Sequence, residues 1–193
     1  MTFLNIVAIA VALVPPLSTT GLLLERGAEV SYHDPHIPEA PRMRSWPDLP
    51  EMESVALSDE TLHSFDAAIL AGSVHIGHVQ KALGQFAAQF HAALNAMPTL
   101  FLQVSLAAAG TDPQEHAELE KIAEDFCAEA DWIPGQVVQV PGAFRFTQYD
   151  FFRSWAMRYI ASQKGQTVDP KADKEYTDWA ALGDLMRAWA PIA

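Results

Sequence analysis

The stretch Ser73-Val74-His75-Ile76-Gly77-His78 gathers a hydroxyl, two imidazoles and a glycine behind the apolar run Phe65-Asp66-Ala67-Ala68-Ile69-Leu70-Ala71-Gly72. The run reads as a buried strand that enters a small-residue turn. Small side chains at Ala71-Gly72-Ser73 let backbone come close to a flat ligand, while His75 and His78 can hydrogen-bond to a ring or stack on it. The spacing His75-x-x-His78 is also half of a metal site, but no Cys, Asp or Glu stands nearby at ligand spacing. A plain polar loop is the third reading. Ser105-Leu106-Ala107-Ala108-Ala109-Gly110-Thr111 is a second small-residue stretch, with a hydroxyl at each end; it is a ligand-facing loop or a simple turn between strand and helix. Ser18, Thr19, Thr20 and Gly21 supply the residue types that bind phosphate at a helix N-terminus, where N–H groups and the helix dipole act together.

The elements that must position these residues alternate between strand and helix. Strands are expected at Asn5 to Leu13, Ala28 to His33, Phe65 to Ala71, Thr99 to Val104 and Gln136 to Val140. The apolar run Ile6 to Val14 lacks a basic flank and is too short to cross a bilayer core of about 30 Å, so it reads as a buried parallel strand rather than a signal peptide. Helices are expected at Ser18 to Arg26, closed by Gly27, and at Val79 to Asn95, with Leu83, Phe86, Ala87, Phe90 and Leu94 on one face. Asp112, Pro113 and Glu115 mark the start of a helix running to about Ala130. An aromatic helix at Tyr149 to Ser162 and a polar turn to Lys174 precede a last helix capped by Thr177 and carrying Trp179, Leu182, Met186 and Trp189. Prolines 35, 38, 41, 47 and 50 make Asp34 to Pro50 a surface loop. Right-handed crossovers then give one α/β domain over residues 1–193: a doubly wound, flavodoxin-like, five-stranded parallel sheet with helices on both faces. Ligands of such sheets sit beyond the carboxyl ends of the strands, here Val14 to Gly21, Ala71 to His78, Ser105 to Thr111 and Gly142 to Phe146.

Composition narrows the partners. Twelve Lys and Arg against 24 Asp and Glu give a net charge of −12, which disfavours a nucleic-acid surface because phosphates demand clustered cations. The single cysteine, Cys127, excludes an intrachain disulfide framework and falls in a helical pattern as a packing residue. The reading is of a cytoplasmic chain whose membrane association, if any, is peripheral, on the inner face of the cell membrane.

From Phe65 on, the chain resembles the flavodoxin-like protoporphyrinogen IX dehydrogenase family. The resemblance runs through the Phe65 to His78 stretch, Asn95-Ala96-Met97-Pro98, Ser105-Leu106, Gly142-Ala143-Phe144-Arg145-Phe146 and Tyr176-Thr177-Asp178-Trp179. It implies FMN as cofactor and electron passage from a porphyrinogen through the flavin to a quinone. It also implies that Ser73, Val74, His75, Ile76, Gly77 and His78 pack against the flavin ring. Ser105, Leu106, Ala107, Ala108 and Gly110 would face the ring edge, and Ser18, Thr19, Thr20 and Gly21 the phosphate. Residues 142–178 correspond to a family insertion before the last helix. That segment holds Arg145, Arg153, Arg158, Lys164, Lys171 and Lys174 among interleaved aromatics; it suits an anionic tetrapyrrole or a membrane surface, with Arg145, Arg153 and Arg158 as substrate contacts. An amphipathic core helix with solvated arginines is the competing account. No general base stands out, so the catalytic residues are unassigned.

The front departs from the pattern. Pro15-Pro16-Leu17-Ser18-Thr19-Thr20-Gly21 runs straight into Leu22-Leu23-Leu24, where polar residues and a full helix are expected beside a phosphate. Residues 17–70 instead resemble the C-terminal nucleotide-sugar-binding domain of UDP-N-acetylglucosamine dehydrogenases, which implies a hybrid joined near Phe65. Besides an FMN oxidoreductase, the sequence therefore leaves open a non-catalytic α/β scaffold or binding module that has lost its phosphate grip.

Overall fold

The computed structural model describes residues 4–10, 15–40, 49–144 and 174–189. Strand β1 (Asn5–Ala10) is fully buried from Ile6 onward, as an apolar strand covered on both faces must be. It pairs in parallel with β2 (Glu29–His33) on one side and β3 (Ala67–His75) on the other. Strand β3 turns at Ile76 and Gly77 into the short antiparallel β4 (His78–Val79), and its free side pairs in parallel with β5 (Thr99–Ser105). Strand β6 (Gln136–Pro141) pairs with β5 to complete the order β2-β1-β3-β5-β6, with β4 attached to β3. The five parallel strands are the expected ones, and the two-residue β4 is an addition. Strands drawn from both sides of Phe65 form one sheet. A separate ladder joins β7 (Ala143–Phe144) to β8 (Lys174–Glu175).

The helices are α1 (Pro15–Leu24), α2 (Asp59–Leu62), α3 (Lys81–Gln89), α4 (His91–Asn95), α5 (Pro113–Glu129) and α6 (Trp179–Trp189). Because side chains alternate across a strand, β3 sends Ala68 and Leu70 to one core and Ala67, Ile69 and Ala71 to the other. The first core closes under α3, α4 and α5 with Leu83, Ala87, Phe90, Leu94 and Phe126. Within it Phe101 stacks on Phe126 at 5.0 Å and meets the edge of Trp132 at 5.6 Å. The second core closes under α1 and α6 with Leu23, Leu182 and Met186.

Several boundaries differ from expectation. Helix α1 starts at Pro15 rather than Ser18. Strand β3 extends to His75 instead of ending at Ala71, since its ladder with β5 continues through Gly72 opposite Gln103 and Ser73 opposite Val104. The helix expected over Val79 to Asn95 is two, broken at Phe90 (φ −110°). Asp112 caps α5 as expected, accepting from the Gln114 N–H. Helix α6 is capped by Asp178, whose Oδ1 accepts from the Ala181 N–H, while Thr177 donates to the Pro141 carbonyl at 2.6 Å and ties α6 to the end of β6. The expected helix over 149–162, the turn after it, and Arg145, Arg153 and Arg158 lie outside the described residues.

Gly72 is required for packing. A Cβ there would lie 2.6 Å from Leu83 Cδ2 and 2.8 Å from Val79 Cγ1, so its missing side chain seats the hairpin and α3 on the sheet rather than opening space for a ligand. Gly72→Ala is therefore expected to cost about 1–3 kcal/mol through overpacking, read as a lower midpoint in urea unfolding; an unchanged midpoint would refute the assignment.

Candidate functional site

Parallel pairing sends the carboxyl ends of β1, β3, β5 and β6 to one edge of the sheet. Helix α1, the β3–β4 hairpin and the turn after β5 all leave from that edge, so three of the sequence segments singled out for chemistry share it. The strand order reverses beside β1, since its two neighbours are β2 and β3. In doubly wound sheets this is where a crevice opens.

The hairpin is the most constrained part. Ile76 and Gly77 both have positive φ, at 50° and 79°, the backbone of a type I′ two-residue turn. Gly77 takes this freely; Ile76 is β-branched and takes it under strain. Its side chain is 83% exposed, so no packing explains its presence at the tip. Ser73 and Val74 are half-buried, and His75 and His78 are exposed. Ser73 Oγ and His75 Nε2 lie 2.6 Å apart, so His75 is held against its own strand by a hydroxyl two residues back. The Gln80 side-chain carbonyl accepts from the Ser73 N–H at 3.3 Å; this residue sequence reasoning passed over, although a polar side chain just ahead of α3 is the available signal.

After β5, Ser105 Oγ accepts from the Ala107 N–H at 3.1 Å, and a 3₁₀ turn over Ala107–Ala109 brings the Gly110 N–H to the Ala107 carbonyl at 2.9 Å. His116 Nε2 lies 2.9 Å from the Gly110 carbonyl, which fastens the turn to α5. Ser105, Leu106, Ala107, Ala108 and Gly110 are all half-buried at this edge. The N–H groups of Ala107 and Gly110 already have partners within the turn.

The residues expected at a helix N-terminus facing phosphate lie one turn further in, because α1 begins at Pro15. Ser18, Thr19, Thr20 and Gly21 stand inside α1, and Thr19 and Thr20 are fully buried. Their N–H groups fall where the i→i−4 ladder takes them up. Of the first three helical positions, Pro15 and Pro16 carry no N–H and only Leu17 has one.

Cys127 is half-buried on α5, away from the sheet edge, and burial pushes its thiol up to about 11 from an ordinary value of 9.0. That suits packing, not nucleophilic attack, which needs the thiolate. Among the described residues no group of three His, Cys, Asp or Glu is placed to hold a metal ion, and no helix is long and apolar enough to cross a membrane.

The sheet order and strand directions define a flavodoxin-like, doubly wound α/β protein. Residues 40–171 match the family described as Flavodoxin domain, and the chain belongs to that family. The match begins ahead of the join expected near Phe65. Among individual proteins, the chain is similar to protoporphyrinogen IX dehydrogenase (quinone) of Escherichia coli strain K12, 24% identical over 129 residues, covering 67% of this chain and 71% of that one. The Leishmania major protein of the same name is 29% identical over 135 residues, covering 70% of this chain and 56% of that one. A solved structure, general stress protein 14 of Treponema denticola in complex with FMN, superposes with a TM-score of 0.46 at 11% identity, covering 95% of this chain and 99% of that one.

Two outcomes are expected at these residues. Ile76→Asn should raise the melting temperature, because Asn tolerates the left-handed region at a cost about 1 kcal/mol below that of a β-branched residue; a lower melting temperature would show that the Ile76 side chain has a structural partner. For Cys127, a thiol pKa raised by folding contributes stability that is present below pH 9 and lost as pH rises toward 11. Alkylation of the native protein should accordingly titrate near pH 11 and that of the unfolded chain near pH 9; coincident profiles would contradict the burial.

Proposed function

We propose that the protein is a flavin-binding oxidoreductase of protoporphyrinogen dehydrogenase type, with FMN as cofactor, a porphyrinogen as electron donor and a quinone as acceptor. The observation that carries this reading is the placement of the β3–β4 hairpin and the turn after β5 side by side at the sheet edge of a Flavodoxin-domain chain, supported by the names of the relatives. Ser73, Val74, His75, Ile76, Gly77 and His78 would lie against the ring, and Ser105, Leu106, Ala107, Ala108 and Gly110 along its edge. Bound FMN would supply the electron transfer itself, the protein supplying orientation, polar contacts and a shape that excludes water. The α1 terminus, with Ser18, Thr19, Thr20 and Gly21 behind it, would face the phosphate, and Arg145, Arg153 and Arg158 the propionates of the substrate. The likeness of residues 17–70 to a nucleotide-sugar-binding domain belongs to this reading as the origin of its atypical front. Action in the cytoplasm, at the inner membrane face when a quinone is the acceptor, completes it.

A second reading, a scaffold or binding module without catalysis, is favoured by one observation: Pro15 and Pro16 remove N–H donors from the helix end where a phosphate would sit. Titration of the purified protein with FMN separates the two. The first reading expects saturable quenching of flavin fluorescence, a higher melting temperature, and slower amide exchange in 73–78 and 105–110. It also expects that reversing the charge of Arg145, Arg153 and Arg158 weakens porphyrin binding, more at low salt than at high, and leaves flavin affinity unchanged. No quenching and no thermal shift would establish the scaffold.

A further inference from the structure

The edge strand β6 and the exposed side of α5 enclose a groove of about 570 Å³ at the end of the sheet opposite the hairpin. It is lined on the α5 side by Ala123, Cys127 and the carboxylates Glu120 and Glu124, and on the β6 side by Val137 and Gln139, with Trp132 and Ile133 at its end. The chemistry of the groove is unusual for a solvated surface. Ile133 is 80% exposed and Val137 40% exposed, so apolar area faces water beside an edge strand, Gln136-Val137-Val138-Gln139-Val140, that carries no charge. Edges in soluble proteins are ordinarily blunted by Lys, bulges or cover, because their outward N–H and C=O groups are ready to pair with another chain. Two polar atoms in the lining residues are also left without partners: Trp132 Nε1, a donor on a side chain only 1% exposed, and Gln139 Oε1, an acceptor. A buried tryptophan N–H normally finds an acceptor.

Charge selects between occupants. Glu120, Glu124 and Asp131 surround the groove with no Lys or Arg among its described lining residues, and the whole chain carries −12. A second copy laid edge to edge along β6 would bring these carboxylates toward their own equivalents, whereas a basic segment would neutralise them. We propose that this groove binds an extended, basic segment of another protein, added as a strand along the edge of β6 that no described strand covers, with its apolar side chains against Val137 and Ile133 and its cations toward Glu120, Glu124 and Asp131. Strand addition of this kind takes affinity from main-chain hydrogen bonds and specificity from alternate side chains. The site is separate from the sheet edge assigned to flavin and does not rest on that assignment.

The test uses the full chain and two acetylated heptapeptides, one alternating Lys with Val and one alternating Glu with Val. Cys127 lines the groove and is the only thiol, so its alkylation rate reports occupancy. The Lys-Val peptide is expected to slow alkylation saturably and to slow amide exchange at residues 137–140, and the Glu-Val peptide to do neither. Joint substitution Glu120→Gln, Glu124→Gln and Asp131→Asn should raise the half-protecting concentration about tenfold, as three exposed charge pairs of ordinary strength would. Equal protection by both peptides, protection without slower exchange in β6, or a concentration-dependent dimer in sedimentation that accounts for the covered edge would each overturn the proposal.

Discussion

Strand β3 is the constraint on which the structure depends. It pairs with β1 on one side and β5 on the other, and it folds back on itself as β4. Both of its edges are paired and both of its faces covered along Ala67-Ala68-Ile69-Leu70-Ala71-Gly72, which is buried throughout. The small residues carry the geometry. Where Gly72 removes the side chain, Val79 and Leu83 occupy the space that a Cβ would fill, which sets the hairpin and the start of α3 relative to the sheet. The positions of Ser73, His75 and His78 follow from that contact rather than from any interaction of their own.

Much of this was legible in the residues because periodicity and burial agree. The five parallel strands and the apolar face of Leu83, Ala87, Phe90 and Leu94 come from patterns that tertiary structure reinforces. The failures have physical causes. Pro15-Pro16 reads as a loop if proline is treated as a helix breaker, yet proline fits the first turn, where its missing N–H has no intrahelical partner to lose. Gly72-Ser73 reads as the end of a strand because both residues are turn formers, but pairing with β5 outweighs local preference. The break at Phe90 has no breaker residue at all.

The candidate site was legible in its location and less so in its detail. Residues 73–78 and 105–110, marked by small residues with hydroxyl or imidazole groups, follow the carboxyl ends of β3 and β5 at one sheet edge, but composition reports only the residue types. It does not report how a group is held. The bond from Ser73 N–H to Gln80, the closeness of His116 to Gly110, and the buried Gln103, whose Nε2 donates to the Leu119 carbonyl at 2.9 Å, all depend on contacts between elements. Gln103 and Gln139 face each other across β5 and β6, and each keeps a side-chain oxygen without a partner. Such a pair beneath α5 costs stability unless something donates to it, which is the kind of local conflict expected where structure answers to binding rather than to folding alone.

The front of the molecule turns on the electrostatics of α1. A helix N-terminus holds a phosphate through two separable contributions, the dipole and the N–H groups that point outward. The dipole survives in a ten-residue helix and is worth about 0.3–1 kcal/mol for a nearby anion at an exposed site. Each hydrogen bond to a charged group adds about 1.5–3 kcal/mol, and Pro15 and Pro16 remove two of the donors that would make them. The lost portion is thus larger than the retained one. Buried Thr19 and Thr20 sit beyond the first turn and cannot replace those donors without unwinding the helix. If a phosphate is held at this edge, its remaining partners must include Leu17 N–H and groups from outside α1, and the burden of binding then shifts to the ring-facing segments on β3 and β5.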